Sequence, residues 1–151
     1  HSFIELERGS NSVPELGDID NDDDLDLLVG ESGGGIHFYR NNGTANKPKF
    51  VLEKKAFPGV EADHRSAPAL VDIDDDGDLD LFLGTQTEGL LFFENTGSAN
   101  EAVFTPSTLS DSIKVPRLST PEFVDLNGDG QMEFLSGGDG GGLIYYRLLS
   151  E

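Results

Sequence analysis

The hydrophobic residues of this chain fall in short runs separated by acidic and glycine-rich turns. Within one such run, Leu79, Leu81 and Leu83 recur at every second position, which is the period of a β-strand. Aromatic and β-branched residues are frequent in the runs, and Gly, Asn, Asp or Ser interrupts them every few residues. The pattern predicts short β-strands joined by tight turns and favours strands over helices.

The same pattern occurs three times in register. Aspartates Asp18, Asp72 and Asp125 open equivalent segments that are 54 and then 53 residues apart. The segments align without a gap: GDIDNDDDLDLLVG (17–30), VDIDDDGDLDLFLG (71–84) and VDLNGDGQMEFLSG (124–137). A proline in a short apolar stretch precedes each segment, and an aromatic run follows it. Such fixed spacing indicates tandem structural repeats.

Each repeat is predicted to form a four-stranded antiparallel sheet. The strands are expected at the proline, after the acidic loop, at the aromatic run, and from Phe50 or Phe104 onward. Apolar residues on both faces of a strand, such as Leu81 and Phe82, need cover on both sides. Four-stranded sheets that recur about every 50 residues are typical of β-propeller blades. We therefore predict one all-β domain, 1–151, with an N-terminal edge strand in 1–11 and repeats at 12–65, 66–118 and 119–151.

The third repeat is expected to lack its outer strand, because LIYYRLLSE (143–151) contains no counterpart of Phe50 or Phe104. The N-terminal HSFIELE (1–7) is an additional strand that precedes the first repeat. We expect Ser2–Glu7 to add to the edge of the third sheet in another copy, which closes a six-bladed ring or propagates a filament. The alternative is that the chain is a fragment of a longer propeller.

Composition restricts the partners. The formal net charge is −19, so a nucleic-acid backbone or an anionic membrane surface would be repelled, and cations are the natural partners. There is no cysteine, which excludes disulfides and thiolate metal sites. Neither an apolar run of about 20 residues nor a leader segment is present in the sequence, so membrane insertion is not expected, and a secretion signal would have been removed.

The acidic loops have the spacing of a calcium site. Counted from the first aspartate, side-chain oxygens recur at positions one, three, five and nine, and a bend is expected at position six. Calcium takes six to eight oxygen ligands, and alternate side chains around a tight bend can converge on one ion. We predict about three Ca²⁺ ions, one per repeat, bound by the side chains of Asp18, Asp20, Asp22 and Asp26, of Asp72, Asp74, Asp76 and Asp80, and of Asp125, Asn127, Asp129 and Glu133, with the backbone carbonyls of Asp24, Asp78 and Gln131 at position seven.

The three loops differ in detail. Asp23 stands at position six, where the other loops have Gly77 and Gly130, and aspartate tolerates the left-handed conformation better than most residues. Asn127 and Glu133 make the third site the candidate for the weakest. Solvated acidic turns are the simpler interpretation of one such loop, but three copies in register favour ion binding. Without a cation the carboxylates repel one another, so ion binding would contribute to folding.

The D-x-D-x-D-G-x-x-D loop, the preceding proline strand, and the aromatic strand followed by N-x-G-[ST] resemble the FG-GAP or VCBS repeats. The resemblance covers nearly the whole chain. It implies blades like those of the calcium-bearing propellers of integrin α-subunits and of many secreted bacterial and archaeal proteins, and it implies the calcium ligands named above. Two departures are Asp23 at the glycine position and three blades where the family usually has about seven.

We expect no catalytic residues and no cofactor other than calcium. The expected function is that of a secreted or cell-surface module, structural or adhesive, that forms homo-oligomers, with glycans or cell-surface proteins as further partners. The alternatives are a carbohydrate-binding propeller and a non-catalytic fragment of a larger polysaccharide-active protein. Asn42 begins an N-x-T glycosylation signal. The structural interpretation of that segment is an exposed turn with Asn42 and Gly43 in the left-handed region.

Overall fold

The computed structural model describes residues 10–109 and 113–147, which form eleven β-strands in three antiparallel sheets and contain no α-helix. The prediction of an all-β fold built from blade-like antiparallel sheets is confirmed. The first sheet contains β1 (Val13–Gly17), β2 (Asp26–Gly30), β3 (Ile36–Asn41) and β4 (Phe50–Lys54). The second contains β5 (Ser66–Val71), β6 (Asp80–Thr85), β7 (Leu90–Asn95) and β8 (Phe104–Ser107). The third contains β9 (Thr120–Val124), β10 (Glu133–Gly137) and β11 (Ile144–Arg147).

Within each sheet the strands pair in chain order, so each sheet is a meander. The acidic loop joins the first two strands every time. The residue before the loop pairs with the acid at position nine in all three sheets: Gly17 with Asp26, Val71 with Asp80, and Val124 with Glu133. The repeated sequence therefore produces a repeated hairpin register.

The first strands β1, β5 and β9 lie side by side in that order, and the sheets stack face to face around them. Rings of Phe57 and Phe104 fill the junction between the first two sheets, with centroids 5.0 Å apart. In the second junction the Phe82 ring lies 4.7 Å from that of Phe123. This junction keeps a cleft of about 700 Å³ beside Phe82 and Phe123. Both faces of the middle sheet are therefore covered by apolar neighbours, as the sequence pattern requires.

A glycine near the end of the second strand allows neighbouring sheets to approach. A Cβ atom on Gly30 would lie 2.4 Å from the backbone oxygen of Ser66, and one on Gly84 would lie 2.3 Å from that of Ser119. Both distances are well inside van der Waals contact. The contact between one sheet and the start of the next thus explains the glycine at this position in the first two repeats.

The turn at the glycosylation signal differs from the prediction. Asn42 is exposed, as expected, but neither Asn42 nor Gly43 has a positive φ. Instead, the Asn41 side-chain oxygen accepts hydrogen bonds from the Gly43 amide at 3.0 Å and the Lys49 amide at 2.8 Å. These two bonds fix the turn without a left-handed residue, so the left-handed interpretation was wrong.

The third sheet has three strands within the described ranges, and β11 is its edge. Residues 1–9 and 148–151 lie outside the described residues, so the predicted addition of Ser2–Glu7 to this edge stays a prediction. Within the described part of the chain, no helix is long and apolar enough to cross a membrane.

Candidate metal centre

The aspartate at position one organises each acidic loop through backbone hydrogen bonds. Asp18 accepts hydrogen bonds from the amides of Asp22 at 3.1 Å and Asp23 at 3.0 Å. Asp72 makes the equivalent bonds to Asp76 and Gly77 at 3.1 and 3.0 Å. Asp125 does the same in the third loop, where its bonds include the Gly130 amide at 2.8 Å and hold the pKa of the carboxyl below its ordinary value. Position one is therefore fixed in place by its own loop.

The bend at position six has the left-handed conformation in all three loops. The φ angles are 67° at Asp23, 93° at Gly77 and 85° at Gly130, so Asp23 adopts the conformation expected of it. A second left-handed position, which the sequence reasoning missed, lies at position four: Asn21, Asp75 and Gly128 have φ angles of 57°, 59° and 78°. The signal was available, because Asn, Asp and Gly are the residues that tolerate this region.

Three carboxylates converge in each of the first two loops. One oxygen from each of Asp18, Asp20 and Asp22 lies within 4.8 Å of the others. The same holds for Asp72, Asp74 and Asp76. In the first cluster, Asp20 Oδ1 is buried and has no hydrogen-bond partner. Hard oxygen donors that converge in this way, one of them unsatisfied, fit a cation such as Ca²⁺.

The acid at position nine lies outside these two clusters and is almost fully buried. Asp26 accepts a hydrogen bond from the Asn41 amide at 2.7 Å, and Asp80 accepts one from the Asn95 amide at 2.7 Å. Burial raises the pKa of Asp26, and it raises the pKa of Asp80 to about 6. In the third loop, Glu133 accepts from the Leu126 amide at 2.9 Å. The position-nine acid thus connects the loop to the sheet, and ion binding by it stays a prediction.

Positions three and seven complete the predicted set. In the third loop the side-chain nitrogen of Asn127 donates to Glu133 Oε1 at 2.8 Å. At position seven, the backbone amides donate to the carboxylate at position five in each loop, over 3.0–3.1 Å: Asp24 to Asp22, Asp78 to Asp76, and Gln131 to Asp129. These bonds hold the position-five carboxylate against the second half of its loop.

Two arginines contact the loops, and the sequence reasoning missed both. Arg40, at the end of β3, forms ion pairs with Asp20 and with Glu53. Arg147 occupies the equivalent position in the third repeat and lies 2.5 Å from an oxygen of Asp129. In the second repeat this position is Glu94. The 107-residue separation of the two arginines, two repeat lengths, is the signal that could have identified them.

The second sheet also contacts the first loop. Asn100, in the turn between β7 and β8, donates a hydrogen bond from its side chain to the backbone oxygen of Asp20 at 2.9 Å. Asp20 is one of the three converging acids. The first candidate site is therefore supported by two neighbouring sheets.

Stacked meander sheets, each with an acidic hairpin loop between its first two strands, define a tandem-repeat protein of the β-propeller blade type. The model of the FG-GAP-like repeat matches residues 18–83 and 72–136, so the chain belongs to the FG-GAP-like repeat family. No curated protein and no solved structure gives a significant match. Repeats of this family are typically non-catalytic structural domains and often occur in extracellular, adhesive modules.

Proposed function

We propose that this chain is a secreted structural or adhesive module whose three acidic loops bind Ca²⁺. The observation that carries the proposal is the convergence of carboxylates in the same hairpin of successive repeats, with Asp20 Oδ1 buried and unpartnered in the first. The proposed role is non-catalytic, because ion coordination and backbone hydrogen bonds account for the loop acids.

Bound calcium would balance the loop carboxylates, which Arg40 and Arg147 offset only in part. Like charges in one short loop repel, and a divalent ion turns this repulsion into a cross-link between the two strands of the hairpin. Because the ion binds the folded loop, its binding free energy adds to the free energy of unfolding. Extracellular calcium modules bind with dissociation constants on the order of 10⁻⁴–10⁻³ M, which suits a location outside the cell.

Thermal unfolding in calcium and in chelator tests this proposal. We expect millimolar calcium to raise the melting temperature, and we expect Asp74→Asn to lose the part of that increase that comes from the second loop. Asp75→Asn is the matched control, because it removes the same charge at position four, where Asn21 stands naturally in the first loop. Identical melting curves in calcium and in chelator would contradict the proposal.

We further propose that copies associate head to tail through addition of Ser2–Glu7 to β11. The support is topological: β3 pairs with β4 and β7 with β8, whereas β11 has no outer neighbour within the described ranges. The association would produce a ring or a filament. Native mass measured in calcium tests it: the full chain should form oligomers, and Ile4→Pro should reduce them because proline cannot donate to a strand ladder. A monodisperse monomer would refute this part of the proposal.

A further inference from the structure

The turn between β3 and β4, residues 42–49, contains the one Asn-x-Ser/Thr signal of the sequence, Asn42-Gly43-Thr44. Every residue of this turn is exposed. The equivalent turn of the second sheet, residues 96–103, begins with Thr-Gly-Ser and lacks the signal. Comparison of the two turns therefore separates the residues that the fold requires from those that it does not.

The fold accounts for the residues on either side of Asn42. Asn41 is buried, and both ends of its side-chain amide are hydrogen-bonded. A Cβ atom on Gly43 would lie 2.3 Å from the Lys47 backbone oxygen, so glycine is needed there. The Thr44 hydroxyl accepts a hydrogen bond from the Lys47 amide at 3.2 Å.

The second sheet repeats these contacts. The Asn95 side-chain oxygen accepts from the amides of Gly97 at 3.1 Å and Val103 at 2.9 Å. A Cβ atom on Gly97 would lie 2.3 Å from the Glu101 backbone oxygen, and the Ser98 hydroxyl accepts from the Glu101 amide at 3.2 Å. The asparagine, the glycine and the hydroxyl residue are thus structural parts of the turn in both sheets.

The Asn42 side chain has no such structural role. Its backbone amide donates to the Lys49 backbone oxygen at 3.0 Å, but its side chain has no hydrogen-bond partner among the described residues. The equivalent Thr96 hydroxyl, in contrast, contacts the Val103 backbone oxygen at 3.2 Å and the Thr105 hydroxyl at 2.9 Å. The fold of the turn therefore leaves the side-chain amide of Asn42 available for modification.

The exposure of Asn42 does not depend on what precedes the first sheet. Thr96 is exposed at the same position, although the first sheet lies directly before the second. Asn42 is itself exposed with the second sheet directly after its own. Neither neighbour of a sheet therefore covers this position.

We propose that Asn42 is the acceptor of an N-linked oligosaccharide. The proposal rests on the secreted location proposed above, because this signal is used in secreted chains. The donor class is a lipid-linked oligosaccharide pyrophosphate. Asn42 Nδ2 forms a bond to C1 of the first sugar, the bond from C1 to the pyrophosphate oxygen breaks, and the Nδ2 proton leaves with the lipid pyrophosphate.

The turn is also able to reach an enzyme. The hydrogen bonds described for residues 42–49 all lie within 41–49. Exposed segments with few contacts to the rest of the fold open at low cost in free energy. The turn can therefore open locally while the sheet stays paired.

Expression of the full chain behind an added secretion signal in eukaryotic cells tests the site. We expect one oligosaccharide that peptide N-glycosidase removes, with conversion of Asn42 to aspartate in the peptide mass spectrum. Thr44→Ala should lose the oligosaccharide completely, whereas Thr44→Ser, which copies the hydroxyl of Ser98, should retain it. A secreted wild-type chain without an oligosaccharide, or an oligosaccharide that persists in Thr44→Ala, would overturn the proposal.

A matched variant copies the signal into the second turn. Thr96→Asn combined with Ser98→Thr should gain a second oligosaccharide, because Thr96 is exposed at the equivalent position. Failure to gain it would overturn the argument from exposure, and modification of the second turn alone would overturn the assignment to Asn42. Because the secretion signal is supplied, failure at Asn42 leaves the proposed calcium binding untouched. Identical melting curves in calcium and in chelator would refute calcium binding without affecting Asn42.

Discussion

Arg40 sets the first candidate site apart from the second. Its guanidinium pairs with Asp20, so one of the three converging acids is already neutralised before any cation binds. Glu94 at the equivalent position adds negative charge instead. Because a bound ion must share Asp20 with Arg40, we expect the first loop to bind calcium more weakly than the second.

Arg40→Gln should therefore raise the calcium affinity of the first loop. The Arg40 and Asp20 side chains are 30% and 14% exposed, and an ion pair near the surface contributes about 1 kcal/mol, which corresponds to an increase of roughly fivefold. Calorimetric titration of calcium into the variant and into the wild-type chain measures the change in affinity. Arg65→Gln is the control, since the Arg65 side chain donates to the Leu118 backbone oxygen and not to a loop acid. An unchanged titration would contradict the prediction.

Glu15 on β1 should oppose folding at neutral pH. Burial raises the pKa of its carboxyl above the ordinary 4.5, although the Leu70 amide donates to it at 2.9 Å. A carboxyl whose pKa is raised in the folded state binds its proton more tightly there, so stability decreases as pH rises through the interval between the unfolded and folded pKa values. Below about 4.5 the carboxyl is protonated in both states, and the effect vanishes.

We therefore expect Glu15→Gln to raise the free energy of unfolding at pH 7, with the gain shrinking as the pH falls from the raised pKa toward the ordinary 4.5. Glutamine keeps an oxygen that can accept the Leu70 amide bond. Urea unfolding at pH 4 and pH 7 measures the difference, and Glu61→Gln at an exposed position is the control. A loss of stability at pH 7 would mean that the negative charge itself stabilises the fold.

At the scale of the residue, the sequence predicts the conformation of residues whose contacts lie within their own loop. Asp23 adopts the left-handed conformation expected at the bend, because the alternation of acids around a turn is encoded within a few positions. The contacts of Arg40 and Asn100 were missed, since they depend on where the end of β3 and the neighbouring sheet are placed. The hydrogen bonds that tie Asp26 and Asp80 to the third strand were missed for the same reason.

At the scale of the element, a substitution of Gly84 tests whether close contact between sheets explains the glycine near the end of each sheet's second strand. Gly84→Ala places a Cβ 2.3 Å from the Ser119 backbone oxygen, so β6 and the start of β9 must separate. We expect a loss of about 1–3 kcal/mol in the free energy of unfolding, as for overpacked cores. Gly140→Ala is the control, because nothing lies within 4 Å of its added Cβ. Equal stability of the two variants in urea would contradict this explanation.

Strand order and hairpin register could be predicted because the repeats impose them. Alternation at period two located β6, and the alignment of the acidic loops carried the assignment to β2 and β10. The turn after β3 could not be predicted in the same way. Asparagine and glycine favour several turn types, and the choice was made by the hydrogen bonds of the Asn41 side chain.

At the scale of the whole molecule, the net charge of −19 should make the calcium-free fold sensitive to salt. Salt screens exposed charges, with a Debye length of about 10 Å at 0.1 M. If the loops bind calcium as proposed, sodium chloride should raise the melting temperature more in chelator than in calcium, because the bound ions would already neutralise loop acids. Scanning calorimetry over a salt series measures both slopes. Equal slopes would indicate that the loops do not dominate the repulsion.

Gly17 implies that the repeats of this chain are not interchangeable. The side chains of Leu70 and Leu79 occupy the space that a methyl group on Gly17 would take, whereas Val71 stands at that position in the second repeat. A chimera that places two copies of the second repeat in succession would set Val71 against a leucine pair shaped for glycine. A chimera should therefore fold best when two neighbouring repeats are exchanged together. The unit that must be kept intact is the pair of faces that meet at a junction, and not a single sheet.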